Sequence, residues 1–192
     1  IKFMSKTIDD FRNFFKPNKH KENFTLTNAA LDVVSLVSSQ MKHLGISVEV
    51  YSPLEIEDED PGEIFVHGYK NELKQVILNL LSNAKDAILE KREKGELDFV
   101  GEINVEVGLK KEKGKRYAFL RVVDNGGGMG DDTINRVFEP YFTTKDQGKG
   151  TGIGLYMTKM IIEQNMHGTI TALNSKNGGA AFEIKFEESA HP

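Results

Sequence analysis

"DQGKGTGIGLYMTKM", residues 146–160, places glycine at every second position from Gly148 to Gly154 and then turns at once into a helical pattern. Backbone N–H groups from Gly150 to Gly154, at the start of a helix, can face phosphates, helped by the positive end of that helix. The common phosphate loops do not account for the run. A G-x-x-x-x-G-K-[ST] loop fails, because Gly148-Lys149 is followed by Gly150 and Gly114-Lys115 by Arg116. No G-x-G-x-x-G occurs either, which removes the dinucleotide fingerprint and the protein-kinase glycine loop. What the run belongs to must be decided by its neighbours.

Working outward, the 192-residue chain is long enough for one well-buried domain with an appendage. Its 39% hydrophobic and 28% charged residues are ordinary for a globular protein. A formal charge of −4 gives no basic field for nucleic acid or anionic membrane. With no cysteine, disulfides and thiolate metal sites are excluded. No stretch approaches the length of a membrane-spanning helix, and no signal-peptide pattern opens the chain. The chain starts at Ile1 with a helical pattern already running, so a piece of a longer protein is expected.

Ile1, Met4, Ile8, Phe11 and Phe15 alternate steps of three and four, the seam of a helix that packs on a partner. "KPNKHKEN" (16–23) breaks it. After that the pattern is one mixed α/β unit. "LTNAALDVVSLVSSQMKHLG" (26–45) predicts a helix with Thr27 or Asn28 near its N-cap and Gly45 past its end. "ISVEVYS" (46–52) and "EIFVHG" (63–68) predict short strands around the acidic loop "EIEDEDPG" (55–62). A long helix is expected from about Asn71 to Lys94, and two strands joined at "KEKGK" (111–115) follow it. From Gly126 to about Lys149 no periodicity holds. A second helix is expected from about Thr151 to Met166, then two closing strands on either side of "KNGG" (176–179). Strands and helices mix without strict βαβ alternation, which favours a layered sheet with helices on one face.

Four segments carry chemistry. In "NELKQVILNLLSNAKDAI" (71–88), Leu73, Val76, Ile77, Leu80, Ala84, Ala87 and Ile88 form the apolar stripe. Asn79 and Asn83 stack on one face of that helix, with Asp86 and Glu72 near the same side. A carboxamide at a core boundary needs partners. One reading is that their carbonyl oxygens reach a hydrated Mg²⁺, which takes hard oxygen ligands; the other is that they are boundary asparagines bonded to solvent or a neighbouring strand. In "LRVVDNGGGMG" (120–130) an apolar strand delivers Asp124, and Gly126, Gly127 and Gly128 let backbone pass close to something flat or anionic. Asp124 can accept from an amino group such as that of adenine, or Asp-Asn-Gly can be a plain turn. In "VFEPYFTTK" (137–145), Phe138, Tyr141 and Phe142 interrupt a glycine-rich loop and must dock on something. Thr143, Thr144 and Lys145 can meet phosphate, or Lys145 can be solvated. The opening run is the fourth segment.

In this order the segments resemble the ATP-binding catalytic domain of sensor histidine kinases, in the GHKL ATPase superfamily. "NLLSNA" (79–84) looks like the N box, "DNGGGM" (124–129) the first glycine box, "FEPYFTTK" (138–145) the F box and "GKGTGIGL" (148–155) the second glycine box. "GGAAFEIKF" (178–186) is similar to the closing glycine segment, and the likeness covers roughly residues 24 to 187. The resemblance implies an α+β, two-layer Bergerat sandwich: a mixed sheet, helices on one face, and a flexible ATP lid from about Gly130 to Gly148. It implies three spans: residues 1–19 as the end of a dimerisation helix and linker, 20–188 as the catalytic domain, and 189–192 as a tail. The implied cofactors are ATP and Mg²⁺, with Asn83 the principal metal ligand and Asn79 assisting. Asp124 would accept from adenine, and Gly128 would let the ring approach. Implied ATP contacts also include Asp86, Gly126, Met129, Thr143, Thr144, Lys145, Gly148, Lys149, Gly150, Thr151, Gly152, Ile153, Gly154 and Leu155. Among them, Asn79 and Lys145 are the candidates for a catalytic role.

The implied reaction is transfer of the γ-phosphoryl group to a histidine on a dimerisation domain, then relay to a response-regulator aspartate. The implied partners are that dimerisation domain and a receiver domain, within a homodimeric parent whose catalytic part is cytoplasmic. Two departures stand out. Ala180 takes a position where such kinases often carry a threonine that helps hold adenine through water. None of His20, His43, His67, His167 and His191 has a phosphoacceptor segment around it, so this piece is not expected to phosphorylate itself alone. Two other readings are a nucleotide-gated interaction module and a free-standing ATPase. The ATPase branch carries a glutamate four residues before the Mg²⁺ asparagine, where this chain has Asn79.

Overall fold

The computed structural model describes residues 20–52, 63–95, 99–145, 150–176 and 178–187. The expected N-terminal seam, the acidic loop, Gly148, Lys149 and the tail lie outside them. The elements are β1 (Glu22–Thr25), α1 (Leu26–His43), β2 (Ile46–Tyr51), β3 (Phe65–Gly68), α2 (Lys70–Glu93), β4 (Gly101–Glu112), β5 (Lys115–Asp124), α3 (Asp131–Arg136), α4 (Gly154–Met160), a π-helical turn over Ile161–Asn165, β6 (Thr169–Asn174) and β7 (Ala180–Glu187).

Among the described residues, β2-β4-β5-β7-β6 form a mixed sheet in that order, β2 lying parallel to β4 and the remaining pairs antiparallel. Alternation along the strands sorts the two faces. Val107, Leu120 and Ile184 stand opposite one another across three strands, and so do Val105, Val122 and Phe182. All six are buried. They meet the apolar faces of α1 (Leu26, Ala30, Val33, Val37) and α2 (Leu73, Ile77, Leu80, Ile88). Each fully buried Leu or Ile there is worth roughly 1.5–3 kcal/mol. The opposite face carries charge: Lys110 pairs with Glu183 at 2.6 Å and Arg121 with Glu106 at 2.8 Å. One apolar face and one charged face make the expected two-layer arrangement.

Several local expectations are corrected. The N-cap of α1 is Thr25, not Thr27 or Asn28. Its backbone is extended (φ −85°, ψ 136°) and its hydroxyl accepts from Asn28 N at 3.3 Å. Leu26, the first helical residue, is fully buried. Thr25 also ends β1, a strand the sequence pattern hides, which pairs antiparallel with β3 from Glu22↔Gly68 to Thr25↔Phe65. On α2 the buried stripe includes Leu81, while Ala87 lies at its border against Gly126. The second helix starts at Gly154 rather than Thr151, because Gly152 takes φ +64°, a left-handed conformation no helix continues. The stretch read as aperiodic contains α3. It has no buried residue, but Asp131 and Asp132 sit in its first turn and Arg136 in its last. Charge set against the helix dipole, not apolar spacing, holds it. Among the described residues no helix is long and apolar enough to cross a membrane.

Candidate functional site

A cavity of about 590 Å³ opens between α2, the end of β5 and the segments that follow β5. Its lining brings the four chemistry-bearing segments together. Asn79, Asn83 and Asp86 supply one wall, as their spacing on α2 requires, with Ala87 beside them. Asp124, Gly126, Gly128 and Met129 supply the floor at one end. Thr143, Thr144, Lys145, Gly150, Thr151, Gly152, Gly154 and Leu155 close the other side.

Asp124 occupies the last inward-facing position of β5, opposite Ile103, and is 5% exposed. Its Oδ1 accepts from Gly126 N at 2.8 Å and from Ala180 N at 3.2 Å. Burial pushes its carboxyl above the ordinary value, and the two N–H donors offset part of that rise. Both of these backbone bonds fall on Oδ1 rather than on the second oxygen. Two glycines make the corner possible. A Cβ on Gly126 would lie 2.8 Å from the Ala87 Cβ and 2.9 Å from the Ile88 nitrogen, and one on Gly179 would collide with the Asp124 carbonyl oxygen. Beyond the strand, Asn174 holds Met129 from both sides: Met129 N donates to its Oδ1 and its Nδ2 donates to Met129 O, each at 2.7 Å.

Asn79 has a partner the sequence did not suggest. Its Nδ2 donates to Oγ1 of Thr158 at 3.0 Å, and Thr158, on α4, is 2% exposed. Using the amide nitrogen in this way leaves the carbonyl oxygen of Asn79 as its remaining polar atom toward the cavity. A Cβ on Gly154 would come within 2.6 Å of that oxygen, so the absent side chain is what lets the carboxamide lie there.

The F-box stretch and the second glycine box are stitched together. Tyr141 N donates to Gly152 O at 2.9 Å, with Tyr141 at φ +66°. Phe138 packs edge-on to Phe182 at 6.2 Å, and the Arg136 guanidinium lies 4.5 Å from the Phe142 ring centre. The expectation that Tyr141 docks its ring is corrected: the side chain is 77% exposed and the backbone makes the junction. Ile153 stands apart from its neighbours. It does not line the cavity, its side chain is 38% exposed, and its N–H is directed to Thr151 Oγ1 at 3.4 Å. Lys145 is at the cavity, but its Nζ pairs with Asp86 Oδ2 at 2.6 Å. Lys85, the helix neighbour of Asp86, places its Nζ 3.2 Å from Asp86 Oδ1. For Asp86, burial raises the carboxyl, and the two lysines outweigh it, so the net direction is down.

Sequence reading missed Thr158, Asn174 and the Ala180 N–H. Thr158 left a faint trace, as a threonine four residues after Gly154, between Met157 and Lys159. Asn174 left none, since it lies 45 residues from the backbone it holds.

The family model of histidine kinase-, DNA gyrase B-, and HSP90-like ATPases matches residues 68–190. The two-component sensor PprA of Pseudomonas aeruginosa is 35% identical over 158 residues, which are 82% of this chain and 15% of PprA. Sporulation kinase A of Bacillus subtilis is 31% identical over 169 residues, 88% of this chain and 24% of that kinase. The chain therefore spans a quarter or less of the length of these two relatives. Among solved structures, the nucleotide-free catalytic domain of the histidine kinase ThkA superposes with a TM-score of 0.69 at 25% identity, covering 88% of this chain and 96% of that domain. ThkA in complex with the response regulator TrrA matches with a TM-score of 0.66 at 18% identity, covering 98% of this chain and 48% of that one, a likeness of fold alone. With the family model matching residues 68–190 and two relatives above 30% identity over more than four-fifths of its length, this chain belongs to the family of histidine kinase-, DNA gyrase B-, and HSP90-like ATPases.

Proposed function

We propose that this chain is the ATP-binding catalytic domain of a sensor histidine kinase, which binds Mg-ATP and donates the γ-phosphoryl group to a histidine outside it. The observation that carries the reading is one cavity lined both by a buried, backbone-held carboxylate and by two asparagines of α2. Asp124 suits an exocyclic amino group, because its Oδ1 is already used by Gly126 and Ala180. Gly128, at φ +74°, keeps side-chain bulk from the floor beside it.

The donor set also suits Mg²⁺. Thr158 takes the amide nitrogen of Asn79 and so fixes which atom of that side chain is left for a ligand, a hard oxygen. Asn83 stands one turn further along α2 and lines the same cavity. When bound, the ion supplies charge neutralisation to the phosphates. The protein's own part is positioning: Asp124 orients the base, Asn79 and Asn83 hold the metal end, and Lys145 is one of the cations lining the cavity. Asn79 is committed to Thr158 and has no basic group to activate water, which supports phosphoryl transfer over steady hydrolysis. The acceptor would be an imidazole on a dimerisation helix, and the product would pass to a receiver-domain aspartate. The response regulator TrrA, seen with ThkA, is the model for that second partner.

Calorimetry of this chain with ATP tests the reading. Binding that strengthens with MgCl₂ and is weakened about tenfold in Asn83→Ala is expected. No binding at millimolar ATP rejects it. Incubated alone with γ-labelled ATP, the chain should acquire no acid-labile phosphate.

A further inference from the structure

Asp86 carries two lysines on one carboxylate. Lys85, its helix neighbour, sits 3.2 Å from Oδ1, and Lys145, 59 residues away in sequence, sits 2.6 Å from Oδ2. Asp86 and Lys145 both line the cavity; Lys85 does not. The Lys145 contact therefore joins α2 to the end of the F-box stretch within the lining of the cavity. Both side chains of the pair are about one-third exposed, at 35% and 32%. Such pairs are worth little and are screened by solvent. A polyphosphate offers the same ammonium more charge and more oxygen atoms. Once Lys145 left, an unpartnered Asp86 would face an anion of its own sign. Lys85 already stands on the other oxygen and keeps it neutralised.

We propose that Asp86 is a positioning residue that parks Lys145 within the lining of the cavity and releases it to the phosphates of an arriving nucleotide, while Lys85 stays behind as its counter-ion. The proposal rests on the cavity being a nucleotide site. It makes the Asp86–Lys145 pair a competitor of phosphate for one cation. This differs from a direct role, in which Asp86 itself touches the nucleotide and its loss weakens binding. It also differs from simple repulsion, in which losing the negative charge helps phosphate whether or not Lys145 is present.

The test is a double-mutant cycle read by calorimetry: wild type, Asp86→Asn, Lys145→Met and the double variant, each titrated with Mg-ATP and with adenosine. Asp86→Asn should bind Mg-ATP about threefold or more tightly with Lys145 present, as expected for releasing a screened ion pair. In the Lys145→Met background the same change should do clearly less. Adenosine, having no phosphate, should show no such gain, and Asp86→Glu should restore the wild-type ATP affinity. Equal gains in both backgrounds, or weaker ATP binding in Asp86→Asn, overturn the proposal. Failure of the folded wild type to bind ATP at all rejects the nucleotide reading, and the proposal with it. Adenosine binding that persists while the ATP cycle shows no coupling rejects the parking role alone.

Discussion

The Nδ2 of Asn79 donates to the Oγ1 of Thr158 across 3.0 Å, linking the middle of α2 to α4 beneath the cavity. Thr158 is 2% exposed, so neither partner of this bond has water as an alternative on that side. Thr158→Val keeps the shape and removes the acceptor. The expected cost in chemical denaturation is about 1–2 kcal/mol, that of a buried donor left unpaired. The carboxamide is then no longer held in one orientation. Titrations with ATP in MgCl₂ and in EDTA should show a loss of several-fold only in the metal, by roughly 1 kcal/mol. Equal losses in both buffers would indicate a packing defect instead.

Asp124→Asn separates the two jobs of that residue. The Asn carbonyl can still accept from Gly126 and Ala180, but the atom facing the ligand becomes a donor. Nucleotide affinity should fall tenfold or more, about 1.4 kcal/mol, in calorimetry, while the melting transition stays cooperative. Unchanged affinity would remove Asp124 from adenine recognition.

The same residue sets a pH dependence with two opposed signs. Burial raises its carboxyl in the folded chain, so the unfolded chain ionises first as pH rises from its ordinary value of 3.8. Its contribution to stability is therefore greatest in acid and declines as pH rises through the raised value. Measured by urea unfolding, wild type should gain on Asp124→Asn as pH is lowered through that window. Nucleotide binding needs the ionised acceptor and should weaken over the same range in wild type. In Asp124→Asn this part of the pH profile should be flat. Asp86, with a carboxyl lowered by its lysines, contributes the other way: its stabilisation is present above the ordinary value of 3.8 and is lost as pH falls through the lowered one.

Gly152→Ala attacks the junction between the F-box stretch and the second glycine box. Gly152 has φ +64°, and an added Cβ would run into the Tyr141 backbone. Left-handed strain on a non-glycine residue costs on the order of 1–2 kcal/mol before any clash is counted. The expected result is a lower melting temperature together with ATP affinity reduced at least tenfold. Hydrogen exchange should locate the loosening at Tyr141, whose N–H donates to Gly152 O. Wild-type protection at that amide would show that the junction tolerates a side chain.

By itself, the sequence determined the layers and the identity of the wall. A period of two in β4, β5 and β7 marks which face is buried, because side chains must alternate across a strand. A period near 3.6 in α2 sets Asn79, Asn83 and Asp86 on one side, because helical geometry leaves them nowhere else. Glycine runs mark where backbone has to pass close. Each of these is local, and local geometry can be read from spacing. Its limits were equally local: α3 has no buried face to give a period, and Thr25 is both the end of a strand and the cap of a helix. Only the tertiary structure decided which atoms meet. Thr158 reached Asn79, Asn174 reached Met129, Ala180 gave Asp124 a backbone donor, and Lys145 went to Asp86. These partners lie 79, 45, 56 and 59 residues apart. No periodicity runs across such distances; a polar atom takes whichever complementary atom the packed chain brings within about 3 Å.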